Sequence, residues 1–106
     1  MSESRRAKIE AMLADDPNDT FLRYSLAMEL DKSGEHERSL ELFDSLMADD
    51  PPHVPAFFMA SQQLVRLERV EQARTLLRDG IEHARGQNNS HAAGEMSEFL
   101  ASLGSA

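Results

Sequence analysis

A chain of 106 residues has room for about one domain and buries roughly two-thirds of its unfolded surface, enough for a core without covalent staples. Hydrophobic residues at 41% and charged residues at 28% exclude a disordered chain, and the absence of cysteine excludes disulfides, thiolate metal sites and cysteine nucleophiles. With 19 acids against 11 bases the net charge is −8, which excludes the concentrated basic surface that nucleic acid requires.

The first residues, Met1-Ser-Glu-Ser-Arg-Arg, carry no apolar h-region, so no secretory signal is expected. A helix is predicted over 3–14, with Ile9, Met12 and Leu13 on one stripe and Glu3, Arg5, Arg6, Lys8 and Glu10 as polar cover. Pro17 stops it. A second helix over 19–32 is marked by Leu22, Leu26 and Leu30 at four-residue spacing. Gly34 suits its C-terminus, where a left-handed residue is favoured. Further helices follow over 36–48, where Leu42 and Phe43 precede Leu46 and Met47 by one turn, and over 54–67 and 70–85. The last, over 90–103, places Met96, Phe99, Leu100 and Leu103 on one stripe and reads as a cap. No segment alternates like a strand, so the chain is all-α with three antiparallel hairpins. No apolar run approaches the ~20 residues that cross a bilayer, and a soluble cytoplasmic protein without a membrane partner is expected.

Charge is uneven along the chain. Residues 1–50 hold 13 acids and 6 bases, net −7, whereas residues 51–106 hold 6 acids and 5 bases, net −1. The acidic end reads first as a solvated face, and second as a docking site for a basic partner.

An internal repeat underlies the helices. Met-Leu-Ala-Asp-Asp-Pro at 12–17 returns as Leu-Met-Ala-Asp-Asp-Pro at 46–51, an offset of 34 residues. The same offset relates Tyr24 to Phe58, Ala27 to Ser61, Leu30 to Leu64, Ser39 to Ala73 and Leu42 to Leu76. These features resemble the tetratricopeptide repeat family. With Pro17 and Pro51 at the proline that closes each family repeat, residues 20–53 form one unit and 54–87 a second. Residues 3–14 are then the second helix of a leading half-unit, and 90–103 a closing helix. The resemblance implies an α-solenoid of helix hairpins, with Ala27, Ser39, Ser61 and Ala73 at the crossings. It departs at Arg23, where the family favours an aromatic, at Leu46 and Gly80, where it favours alanine, and at Glu68, which replaces the glycine held by Gly34.

Stacked hairpins curve and leave a concave face lined by the first helix of each unit. The implied groove positions are Phe21, Tyr24, Met28, Asp31 and Lys32, then Pro55, Phe58, Gln62, Val65 and Arg66, with Ala92 and Met96 from the closing helix. Aromatic and methionine side chains beside Lys32 and Arg66 suit a peptide or amphipathic helix of another protein. The competing structural reading makes Tyr24 and Phe58 core residues between hairpins. The Lys and Asn clamp with which some family members hold a terminal carboxylate is absent, because Tyr24, Met28, Phe58 and Gln62 occupy those places.

Nothing converges on a reaction. His36, His53, His83 and His91 are never four residues apart, so no helix presents a paired zinc face. Asp49, Asp50 and His53 could form a carboxylate–imidazole site, but the Asp-Asp-Pro triplet recurs at 15–17 without a histidine, which favours repeat geometry. No serine sits in a glycine-flanked elbow and no glycine loop cradles phosphate. The expectation is a non-enzymatic interaction module, monomeric and without cofactor or metal. A self-association module stacking through its terminal helices, as a weak homodimer, is the alternative.

Overall fold

The computed structural model describes residues 2–104, with side chains from residue 5 onward. Six helices follow one another: α1 (Ser2–Asp15), α2 (Thr20–Lys32), α3 (His36–Met47), α4 (Val54–Arg66), α5 (Val70–Gly86) and α6 (Ser90–Ser102). No strand occurs among the described residues. Each range ends within one residue of the range read from sequence, because the local punctuation is strong. The Asp19 carboxylate accepts the Leu22 amide proton at 2.8 Å and opens α2, and Asn89 does the same for Ala92 at 3.1 Å ahead of α6.

One turn is used three times. After α2, Glu35 N–H donates to Leu30 O at 2.9 Å with Gly34 at φ +82°. After α4, Arg69 N–H donates to Leu64 O at 2.8 Å with Glu68 at φ +61°, and after α5, Asn89 N–H donates to Ala84 O at 2.8 Å with Asn88 at φ +61°. Glu68 therefore keeps the conformation of the glycine it replaces, and its Cβ costs about 1–2 kcal/mol there. Asparagine tolerates the same region more easily.

The chain divides into two compact units, Met1–Pro51 and Pro52–Ala106, each with three of the helices. In the first unit α2 packs against both α1 and α3. Ile9, Leu26 and Leu30 form a core there, with Leu13, Leu22 and Leu42 packed against it. Ala27 and Ser39 are fully buried where α2 and α3 cross, and the Ser39 hydroxyl donates to Ala27 O at 2.7 Å. In the second unit α5 packs against α4 and α6. Ser61 and Ala73 are fully buried at the α4–α5 crossing, where Ser61 Oγ lies 2.6 Å from Phe57 O and 3.5 Å from Ala73 O. Serine and alanine exchange helices between the two hairpins, yet each crossing keeps one small apolar side chain and one self-satisfied hydroxyl.

Gly80 has a tighter constraint. A Cβ there would lie 2.6 Å from Phe57 Cβ and 2.7 Å from Met96 Sδ. Helix α5 thus reaches both neighbours through a position with no side chain.

Ion pairs close the hairpin ends. Arg23 Nη2 lies 2.6 Å from Asp49 Oδ2 and Nη1 lies 3.3 Å from Asp49 Oδ1, a two-pronged pairing of α2 with the end of α3. The same guanidinium reaches Ser45 Oγ at 3.3 Å and Asn18 O at 3.0 Å. Arg5 Nε meets the buried Glu29 carboxylate at 2.8 Å, and Arg6 bonds Glu35. The hydrogen bond from Arg6 holds the Glu35 carboxyl below the usual value, aided by its charge and by Arg38. In the second unit the buried Arg74 donates to Leu103 O at 2.9 Å and Gly104 O at 3.3 Å, satisfying carbonyls beyond the end of α6.

Candidate interaction surface

Helix α2 begins at Thr20, so Phe21, Tyr24, Met28 and Lys32 recur at three- and four-residue spacing along one side of it. The opposite side, Leu26, Ala27 and Leu30, is buried. Phe21 is 73% exposed and Lys32 is exposed in the last turn, while Tyr24 and Met28 are half-buried between them. Asp31 belongs to the hairpin itself, since its Oδ1 lies 3.0 Å from His36 Nδ1. Among the described residues, Met12 and Phe21 are the large apolar side chains that stand most exposed.

Tyr24 contributes only part of its ring to this stripe. It meets Phe43 edge-on at 6.0 Å between ring centres, and burial pushes its phenol above the ordinary value of 10.0. A raised native pKa means that the folded state favours the neutral phenol. Its contribution is complete below pH 10.0 and is lost as the pH rises through the native value. Tyr24 is the only tyrosine, so phenolate absorbance reports on it alone. The native protein is expected to titrate above pH 10.0 and the urea-unfolded chain at about that value; coincident curves would contradict the packing.

In the second unit, Phe58, Gln62 and Arg66 share one side of α4 at four-residue spacing. Phe58 is half-buried and meets Phe99 of α6 edge-on at 5.6 Å, so much of its ring is committed to packing. Gln62 is half-buried and Arg66 exposed. Met96 corrects the expectation drawn for it: its side chain is fully buried, with its sulfur against Gly80, and it has no surface to offer a ligand. It belongs to the core because the missing Cβ at Gly80 makes a space for it.

Three charged residues carry more structure than their spacing suggested. Arg23, marked only as a departure from an aromatic, ties α2 to Asp49. Glu29 is buried with Arg5 as its ion-pair partner, and Arg74 holds the carbonyls after α6. For Arg23 the available signal was the carboxylate at Asp49, at the end of the neighbouring helix.

The first unit also has an open depression of about 250 Å³ lined by Leu26, Arg38, Glu41, Leu42 and Ser45. The histidines stand apart: His36 pairs with Asp31, His83 stacks on Phe57 at 5.4 Å, and His91 lies 3.7 Å from Glu95. Among the described residues no three His, Asp or Glu side chains gather as metal ligands, and no helix is long and apolar enough to cross a membrane. No protein-family model, curated protein or solved structure matches this chain.

Proposed function

We propose that the chain is a non-catalytic cytoplasmic module, built from tetratricopeptide-like hairpins, that binds a peptide or amphipathic helix of another protein. The observation that carries this reading is Phe21, a phenylalanine 73% exposed on a helix whose other side is buried. A large aromatic left in water forgoes about 1.5–3 kcal/mol of burial, which a partner could recover. Met28 lies two turns along, where its flexible thioether adapts to varied shapes, and Lys32 ends the stripe with a cation. Apolar anchors with charge at the edge are the pattern of a helix-in-groove contact. Phe58, Gln62 and Arg66 are the second-unit counterpart, with Phe58 a smaller contributor because Phe99 covers part of it.

The reading is tested by capture from native lysate with the wild type and with the double variant Phe21→Ala/Met28→Ala. Partner recovery is expected to fall by about tenfold or more, with the melting transition almost unmoved. Undiminished capture would contradict it. Sedimentation at rising concentration tests the alternative, self-association through the terminal helices, which a strict monomer would contradict.

A further inference from the structure

Helix α1 carries a second surface, visible by comparing it with its repeat counterpart α3. At the 34-residue offset, Lys8, Ala11, Met12 and Asp15 of α1 correspond to Leu42, Ser45, Leu46 and Asp49 of α3. On α3 these positions form a face that α2 covers in part, with Leu42 and Asp49 half-buried and Ser45 exposed. Arg23 of α2 bonds Ser45 Oγ at 3.3 Å and Asp49 at 2.6 Å, and Leu46, between them on the same face, has no exposed surface. On α1 the corresponding face is open: Lys8, Ala11, Met12 and Asp15 are all exposed, Met12 by 49%.

Helix α2 does not close this face, because it meets α1 elsewhere. Arg5 reaches Glu29, and Ile9 and Leu13 pack with Leu22, Leu26 and Leu30. On a helix of 3.6 residues per turn, the centre of the Lys8, Ala11, Met12 and Asp15 set lies about 130° around from Ile9 and Leu13. The second unit repeats the relation. Gly80, the counterpart of Leu46 and Met12, lies against Phe57, the counterpart of Arg23. In both hairpins, then, one residue in the first turn of the first helix lies against this face of the second.

The electrostatics match the geometry. Asp15 ends α1 and Asp16 follows, where the helix dipole disfavours negative charge, and the last turn of α1 carries no base. Asp49, its counterpart by the repeat, lies just past the C-cap of α3 and is neutralised by Arg23. Among the described residues, no cation does this for Asp15.

We propose that the Lys8–Asp15 face of α1 docks an amphipathic helix of a partner protein, antiparallel to α1, that carries an arginine in its first turns. The arginine stem covers Met12 and its guanidinium pairs with Asp15, as Arg23 pairs with Asp49 beside the buried Leu46. Apolar side chains one turn further along lie over Ala11, whose methyl group permits close approach. A second copy of this chain is a poor occupant, because its own −8 charge and carboxylates would face these. The surface lies on α1, so it stands or falls independently of the α2 stripe.

The test uses the full chain with its methionine methyl groups isotopically labelled, since each of the six reports its own surroundings by NMR. The probe is an alanine-based helical peptide of about sixteen residues. It carries one arginine in its first turns and leucines three and four positions later; a twin carries glutamate in place of arginine. The arginine peptide is expected to shift the Met12 resonance and leave buried Met96 in place. Asp15→Asn is expected to weaken binding by about tenfold, whereas Asp79→Asn, an exposed carboxylate on α5, leaves it unchanged. Equal binding of the two peptides, a shift at Met28 instead of Met12, no binding at all, or a homodimer abolished by Met12→Glu would each overturn the proposal.

Discussion

Replacing Gly80 by leucine is expected to lower the free energy of unfolding by about 3 kcal/mol or more, measured by urea denaturation. The reason is space. The position admits no Cβ, with Phe57 Cβ 2.6 Å and Met96 Sδ 2.7 Å from where one would stand. A leucine must displace Phe57, Met96 or the whole of α6. Gly80→Ala is expected to cost less, because alanine recovers about 1 kcal/mol of helix propensity that glycine forgoes. An unchanged or raised midpoint for the leucine variant would mean that α5 does not approach its neighbours as described.

Phe43→Ala should be at least as severe, at about 3–5 kcal/mol, the range for emptying an aromatic site in a packed core. Phe43 is 1% exposed and supports the edge of Tyr24. The informative comparison is Phe21→Ala on the neighbouring helix: the same chemical change, expected within about 0.5 kcal/mol of wild type. Together the pair separates an aromatic that holds the hairpin from one available to a partner. Equal losses at the two positions would place Phe21 in the core and remove the main support for a docking stripe on α2. Loss of Phe43 should also relax Tyr24, bringing its titration back toward the unfolded value.

Much of the fold was legible because it is written in local chemistry. Leu22, Leu26 and Leu30 mark a helical stripe without help from the rest of the chain, and Pro17 and Gly34 punctuate it. The repeat added the crossings: Ala27 with Ser39, and Ser61 with Ala73, are small because two backbones approach there. What stayed hidden depends on partners distant in sequence. Gly80 reads as a weakness in a helix until Phe57 and Met96 are seen on either side of it. Met96 fitted both an inner stripe and a groove, and what decides between them is the space beside Gly80 on the neighbouring helix.

Charges were the least legible. Arg23 looked like a defect in an aromatic position and proves to be half of a two-pronged ion pair. Its partner, Asp49, belongs to the Asp-Asp-Pro triplet that marks the repeat. Both readings meet in one contact: the Asp-Asp-Pro copies end equivalent helices, and only one is neutralised by an arginine of the described chain. Asp15 and Met12 stand exposed where their counterparts Asp49 and Leu46 are paired and buried. A repeat thus reports two things, what packs where the pattern is complete and what stands open where it is not.

The central claim is that a partner protein is held by the exposed side of α2. Amide hydrogen exchange, measured on the chain alone and on its captured complex, tests this most directly. New protection is predicted over residues 21–32, centred between Phe21 and Met28, with α5 little changed. Protection confined to α5 and α6, with residues 21–32 exchanging as in the unbound chain, would contradict it.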